Sequence, residues 1–419
     1  MARDFSNTIF QLLHKTTINL FYKNNDLGVI TGKIIQILTK NKFKIVKRDY
    51  LNNLSSRVTI KEEEVSFVIE PNEIVRPIKK EEKKLASLGY NIIQNGIIDS
   101  HSPFVMFNNV LYKQKYYTGH SEKEVGCKTK LVLQTTPDYA YLNFQKPTKK
   151  IEKGIFLGGS WPYNWYHWLI EILPKIELLK YLPEKYHTYP ILVPHIIKDL
   201  KSHQSLLKKF FEKNIIIYLD DYCWHKVNEV IWIDSPTINS PSFRGYPKGF
   251  KLIDSNIHWE IMKSFQKRLI TLIAQNKSDY KRIFLARKQE KRTYNQDEVY
   301  EMLKKYSFTA IYLEDLSISE QQSVIHGADF IAGPTGAAWS NLIFCKENTQ
   351  ALIWMPVVVK NVSIFANLAH LSNSSLVHYY FPCEAKSWAE FMHQEGTTVL
   401  DVNEIENIII KMLDKKNNI

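Results

Sequence analysis

A histidine and a glutamate four residues apart, His167 and Glu171, end the run Gly158-Gly159-Ser160-Trp161-Pro162-Tyr163-Asn164-Trp165-Tyr166-His167-Trp168-Leu169-Ile170-Glu171. On a helix that spacing puts both side chains on one face. A carboxylate there fixes the imidazole tautomer and raises its basicity, the arrangement of a general base with its orienter. The same letters also read as a packed, hydrogen-bonded pair, because Tyr166, Trp168 and Leu169 beside them are core residue types. Ahead of the pair, Gly158, Gly159 and Ser160 permit a tight turn that brings backbone N–H groups close to a ligand, and Asn164 is a good N-cap. The spacing is not G-x-G-x-x-G, so the turn carries no dinucleotide fingerprint.

A second chemistry-bearing region is cationic. Arg287, Lys288, Lys291 and Arg292 follow an apolar run, and Asn295 can cap a helix opening at Gln296. Arginines at a strand's carboxyl end suit phosphate oxygens through forked hydrogen bonds, while a basic surface loop is the plainer alternative. Further on, Phe330-Ile331-Ala332 runs into Gly333-Pro334-Thr335-Gly336-Ala337-Ala338 and then a helical pattern. Small residues at a helix start expose N–H groups and the positive end of the dipole, an anion site to which Thr335 adds a hydroxyl; an ordinary strand-turn-helix is the alternative. Asp-x-Asp, H-E-x-x-H, G-x-S-x-G and a Walker lysine loop are all absent from the sequence. Hydrolase and P-loop readings lose support, and neither metal nor other cofactor is expected.

These residues need elements to hold them. Residues 1–50 read as an amphipathic helical segment and 51–150 as a β-rich region of short apolar runs. From residue 151, strand and helix signals alternate: Gly154 to Leu157, Asn164 to Tyr181, Ile191 to Val193, Ser202 to Phe211 and Ile215 to Leu219. A second series runs from the helical stretch His258 to Ala274 through Arg282 to Ala286, Gln296 to Tyr306, Thr309 to Leu313, Ser319 to His326, Phe330 to Ala332, Ala337 to Phe344 and Ala351 to Trp354. Such alternation predicts an α/β fold with parallel strands. The Pro- and Gly-rich stretch 235–249 is the expected linker, so lobes are expected over 151–245 and 246–419, with ligands at the carboxyl ends of strands.

Composition bounds the rest. The chain has 419 residues, 44% hydrophobic and 13% aromatic, enough for two or three units at about 150 residues each. With 55 Lys+Arg against 43 Asp+Glu the net charge is +12, which favours anionic partners. The Lys79 to Lys84 run alternates with Glu81 and Glu82 and lacks interleaved aromatics, so it reads as a solvated face rather than a nucleic-acid surface. Cys127, Cys223, Cys345 and Cys383 form no C-x-x-C pair, and a reducing compartment is expected. Residues 1–20 mix Arg3, Asp4 and His14 among apolar residues and do not read as a secretion signal, and no apolar run reaches the ~18 residues of a spanning helix.

Taken in order, Asn164-x-x-His167-Trp168-x-x-Glu171-x-Leu173-Pro174-Lys175, Arg287-x4-Arg292-x2-Asn295-x2-Glu298, Leu313-Glu314-x-Leu316-Ser317-x2-Glu320-Gln321 and Gly327-Ala328-Asp329-x3-Gly333-Pro334-x-Gly336-Ala337-x3-Asn341 resemble the successive motifs of glycosyltransferase family 61. The resemblance covers roughly residues 95 to 410, and four ordered motifs are far more specific than one. It implies a GT-B fold of two doubly wound Rossmann-like lobes around a central cleft, and inverting, metal-independent transfer from a nucleotide sugar, usually a UDP-sugar. Bacterial members are linked to capsule and surface polysaccharides. On this resemblance Arg287, Arg292, Glu314, Thr335, Gly336 and Ala337 belong to the donor and phosphate side, with Asn295 and Asn341 fixing its loops. His167 is the base and Glu171 its orienter, and Gly159, Ser160 and Asn164 lie on the acceptor side. The expected partners are a nucleotide-sugar donor and an oligo- or polysaccharide acceptor, lipid-linked or free, with cytoplasmic placement and peripheral contact with an anionic membrane. The family commonly has His where this chain has Thr335. An inactive nucleotide- or carbohydrate-binding protein of the same fold is the alternative function, and a nucleic-acid-binding protein a more distant one.

Overall fold

A computed structural model describes residues 12–13, 15–20, 25–40, 42–73, 79–116, 129–136, 138–147, 149–239, 255–273, 278–288, 292–360, 362–386, 388–392 and 397–417. Most of the expected linker, Lys291 and Cys127 lie outside them. The fold is mixed α/β, and the chain divides into two compact units: 1–64 with 84–200 and 211–235, and 65–83 with 201–210 and 236–419.

The first unit is built on one 11-stranded sheet. Its parallel part centres on Lys150–Phe156, flanked by Ile191–Pro194 and then Ile216–Leu219 on one side and by Trp224–Ile233 on the other. Gly154 is required there, because a Cβ would come within 2.5 Å of Leu192 on the neighbouring strand. The free edge of Trp224–Ile233 pairs antiparallel with the long strand Leu88–Asp99, with Trp232 opposite Asn91. Beyond it follow Phe104–Phe107, Val110–Lys113, Phe43–Tyr50, Tyr139–Asn143 and Val132–Thr135, while Arg57–Lys61 also pairs with Leu88–Asp99. The β-rich region and the first α/β series therefore share one sheet. One core runs through both, packing Phe156, Leu192, Val230 and Trp232 with Ile93, Ile98 and Val105. The strand Trp224–Ile233 is unforeseen in the sequence because His225, Lys226, Asn228 and Glu229 interrupt its apolar pattern.

The second unit holds a five-stranded parallel sheet in the order Thr309–Ile311, Arg282–Leu285, Phe330–Pro334, Gln350–Pro356, Ser375–Phe381. Phe284, Ala332, Leu352 and Val377 pack with the helices Gln296–Lys304 and Val402–Asn417. The intervening Ile283, Ile331 and Ile353 are equally buried. Strands covered on both faces read as continuous apolar runs, as these do. Two segments from early in the chain belong to this unit. In the first, Ser66 Oγ donates to the Ile257 carbonyl at 3.0 Å and the Ile69 N–H to Asn367 Oδ1 at 2.7 Å. In the second, the helix Lys201–Phe210, Phe210 stacks on Phe265.

Candidate active site

In the first unit the chain leaves Lys150–Phe156 toward Ile191–Pro194 and returns on the other side as Trp224–Ile233. The carboxyl ends at such a reversal open a crevice, the usual ligand position of an open α/β sheet. Gly158-Gly159 and Asp234-Ser235 follow directly from those two ends. A Cβ on Gly158 would lie 2.2 Å from the Phe156 ring and one on Gly159 2.9 Å from Ile172, so close approach dictates both glycines. Trp161 adopts a left-handed backbone, φ 48°. Asn164 opens the helix: its Oδ1 accepts from the Tyr166 N–H at 2.9 Å and its carbonyl from Trp168 at 3.0 Å. In place of one regular helix over 164–181, a wide π-type turn spans His167–Ile172 and a tight 3₁₀ stretch spans Leu173–Tyr181. Pro174, which lacks an N–H, sits at the join, and wide turns of this kind recur at functional sites. His167 Nδ1 and Glu171 Oε2 meet at 2.6 Å, with side chains 15% and 8% exposed. His167 Nε2 has no partner among the described residues.

Three residues to which the sequence reading gave no role complete this site. Lys175 is buried and donates from Nζ to the Gly158 carbonyl at 2.7 Å. Burial pushes its pKa down to about 8, against the opposing pull of Asp234 and then Glu171. Asp234, also buried, accepts from the Gly89 N–H at 2.9 Å and pairs with Arg57 at 2.5 Å. Burial raises its pKa and Arg57 opposes the rise. Ser235 Oγ donates to the Glu171 carbonyl, and Gln114 brackets the Ser235 backbone at 2.7 and 3.0 Å. The available signal was the polar pair Asp234-Ser235 directly after the apolar run Val230-Ile231-Trp232-Ile233.

In the second unit the strand order reverses between Arg282–Leu285 and Phe330–Pro334. Arg287 and Thr335-Gly336 lie just past those two carboxyl ends. Gln296 clamps the Arg287 backbone from both sides, its Oε1 accepting from the N–H at 2.8 Å and its Nε2 donating to the carbonyl at 2.9 Å. Arg287 Nη2 donates to the Thr335 carbonyl, and a Cβ on Gly336 would lie 3.0 Å from the same Nη2. Burial, then the like charge of Arg292, disfavours the charged form of Arg287; Tyr294 and Glu314 favour it. Glu314 itself is exposed. Arg292 has a left-handed backbone, φ 53°, and burial lowers its pKa as well. Ala337–Phe344 is a 3₁₀ helix in which Trp339 donates to the Gly336 carbonyl at 3.1 Å. Asn295 occupies the N-cap position before Gln296, but its side chain does not cap. It bonds both backbone polar groups of Leu400 at 2.8 and 3.1 Å and reaches Glu298 at 2.7 Å, tying a distant loop to the helix start.

Residues 165–352 match the family model described as Glycosyltransferase 61. The chain carries a glycosyltransferase family 61 domain. No curated protein matches the chain. The matched stretch takes in His167, Glu171, Lys175, Asp234, Ser235, Arg287, Thr335 and Gly336. A glycosyltransferase joins a sugar donor to a glycan acceptor. Several of the glycosyltransferase motif letters do structural work: Ser317 and Glu320 form a reciprocal capping box on Ile318–Gly327. Gln321 donates to the Leu316 carbonyl at 3.0 Å, and the buried Asn341 donates to Gln321 at 3.4 Å. Lys288 pairs with Asp315 on the exposed surface. Among the described residues, no helix of the glycosyltransferase is long and apolar enough to cross a membrane.

Proposed function

We propose that this glycosyltransferase is an inverting, metal-independent GT-B enzyme that moves a sugar from a UDP-sugar to a glycan acceptor of a capsule or other surface polysaccharide. The second unit takes the donor and the first the acceptor, with His167 as general base. The observation that carries this reading is the cationic reversal point of the second unit: Arg287 lies beside Arg292, held on the Thr335 carbonyl next to Gly336. Burial penalises these like charges, and an anion supplies the compensation that burial removes. A diphosphate fits the planar forks and the N–H groups at the 3₁₀ start.

In the reaction the acceptor hydroxyl attacks the anomeric carbon and its proton passes to His167 Nε2. The new C–O bond forms as the bond from the anomeric carbon to the diphosphate oxygen breaks. That oxygen's developing charge is taken up by Arg287, Arg292 and the N–H groups of Gly336 and Ala337. Glu171 holds the imidazole through Nδ1, leaving Nε2 to face the acceptor. The excess of 55 basic over 43 acidic residues suits a cytoplasmic enzyme in peripheral contact with an anionic membrane and a lipid-linked acceptor.

The test is a thermal-shift and turnover screen against nucleotide sugars, since a bound donor raises stability by mass action. A UDP-sugar that shifts the melting temperature and is turned over supports the reading. Binding without transfer or donor hydrolysis points to the inactive alternative, and no response to any UDP-sugar overturns the donor assignment.

A further inference from the structure

Beside His167, in the same unit, lies a cluster that the transfer chemistry leaves unused. Trp161 comes within 5.1 Å of the His167 ring, centroid to centroid. Two residues on, Tyr163 is 47% exposed and lies 6.3 Å from the ring of His101. His101 stacks on Tyr222 at 4.1 Å and holds Asp221 through Nε2 at 2.6 Å, and the Lys130 ammonium sits 3.6 Å over the Tyr222 ring.

Three features mark this strip as more than packing. Trp161 and Tyr222 both have left-handed backbones, φ 48° and 56°. For bulky side chains that conformation is an outlier, and such outliers concentrate where a ligand is gripped. Tyr163 leaves nearly half of a large ring in water. His101 is 4% exposed, yet its Nδ1 has no partner among the described residues, and a buried polar atom without one calls for a ligand or a water.

We propose that Trp161, Tyr163 and the His101–Asp221–Tyr222–Lys130 group form an oligosaccharide subsite that extends the acceptor position away from His167. The inference rests on the acceptor assignment of the first unit. A pyranose buries its C–H face against an aromatic ring and turns its hydroxyls outward, so it needs flat apolar surface rimmed by fixed polar groups. Trp161 and Tyr163 supply the surface. The Asp221 carboxylate and the Lys130 ammonium supply an acceptor and a donor. Tyr222 is covered by His101 and Lys130 and serves as the wall that orients them. A sugar joined to the reacting residue rests on this strip and holds the acceptor hydroxyl at His167 Nε2.

The test titrates the full chain with hexasaccharides of glucose, galactose, mannose and N-acetylglucosamine, by calorimetry and tryptophan fluorescence, alongside UDP as a separate probe. At least one hexasaccharide is expected to bind. Its affinity should fall about tenfold or more in Tyr163→Ala and in Trp161→Ala. Tyr163→Ala, at an exposed position, should keep the wild-type melting temperature and UDP affinity. If no hexasaccharide binds, or if Tyr163→Ala binds it as tightly as wild type, the subsite is wrong. Hexasaccharide binding without UDP binding keeps the subsite and overturns the donor assignment; UDP binding without hexasaccharide binding overturns the subsite alone.

Discussion

The two units place their candidate chemistry at the same topological position and build it from opposite materials. At the reversal point of the first sheet, acid and base stand together: His167 pairs with Glu171 and Asp234 with Arg57, and Lys175 lies in the field of Asp234 and Glu171. At that of the second, Arg287 donates to the Thr335 carbonyl with the like charge of Arg292 near it, and the nearby carboxylate, Glu314, is exposed. A network of paired charges with one free imidazole nitrogen can accept a proton. A half-buried pair of like charges suits an anion. The fold supplies a strand-order reversal in both units, and the side chains beside it differ.

Removing the proton acceptor should have the largest effect. His167→Ala is expected to lower the rate of sugar transfer about 100- to 10,000-fold, the usual worth of a general base, while calorimetry finds UDP affinity unchanged. Arg287→Lys should show the reverse pattern. It keeps the charge and loses the planar fork, so UDP affinity should fall about 10- to 100-fold, the worth of one or two hydrogen bonds to a charged group. If both variants lost transfer and UDP binding together, the division of labour between the two crevices would fail.

What the sequence disclosed follows the same division. In the second unit Arg287, Thr335 and Gly336 lie within two residues of strand ends that are continuous apolar runs, so strand, turn and anion-suited residues are read locally. His167 and Glu171 are equally local, four residues apart. Asp234 and Arg57 are not. They meet only because Trp224–Ile233 pairs with Leu88–Asp99 and Arg57–Lys61 adds to the latter, and no local period encodes such a register. Asn295 shows the limit of propensity: it is a good capping residue at the capping position, and the Leu400 backbone takes its side chain.

Lys175 gives a test of intermediate size, read against pH. Its ammonium is flanked by Asp234 and Glu171, with Arg57 beyond Asp234 and His167 beyond Glu171. Deleting that positive charge in Lys175→Met changes the field at the proposed base without touching it. The acid limb of kcat/KM should therefore move up by about one pH unit, and Lys175→Arg should restore it. Stability gives an independent sign. The folded-state pKa of about 8 lies below the ordinary lysine value of 10.5, so between those pH values the unfolded chain binds more protons. Wild-type stability should climb across that window, and Lys175→Met should lack the climb in denaturant titrations. A purely structural lysine would shift melting without moving the limb.

The smallest change expected to register is a single methyl group at the second reversal point. Gly336 has an extended backbone, φ 168°, that any residue adopts, so alanine there brings no conformational strain. Its Cβ would stand 3.0 Å from Arg287 Nη2 and 4.0 Å from the guanidinium carbon. The tip of a long side chain yields to such a contact more readily than backbone does. Arg287 therefore shifts by a few tenths of an ångström, and its bond to the Thr335 carbonyl bends. Since a displacement of 1 Å in a positioning group can cost about 100-fold, this one should weaken UDP binding by less than about tenfold. The melting temperature and the pH profile of sugar transfer should stay at their wild-type values. An unchanged UDP affinity would mean that the guanidinium does not touch the nucleotide. A shifted limb would mean that the two crevices do not act independently.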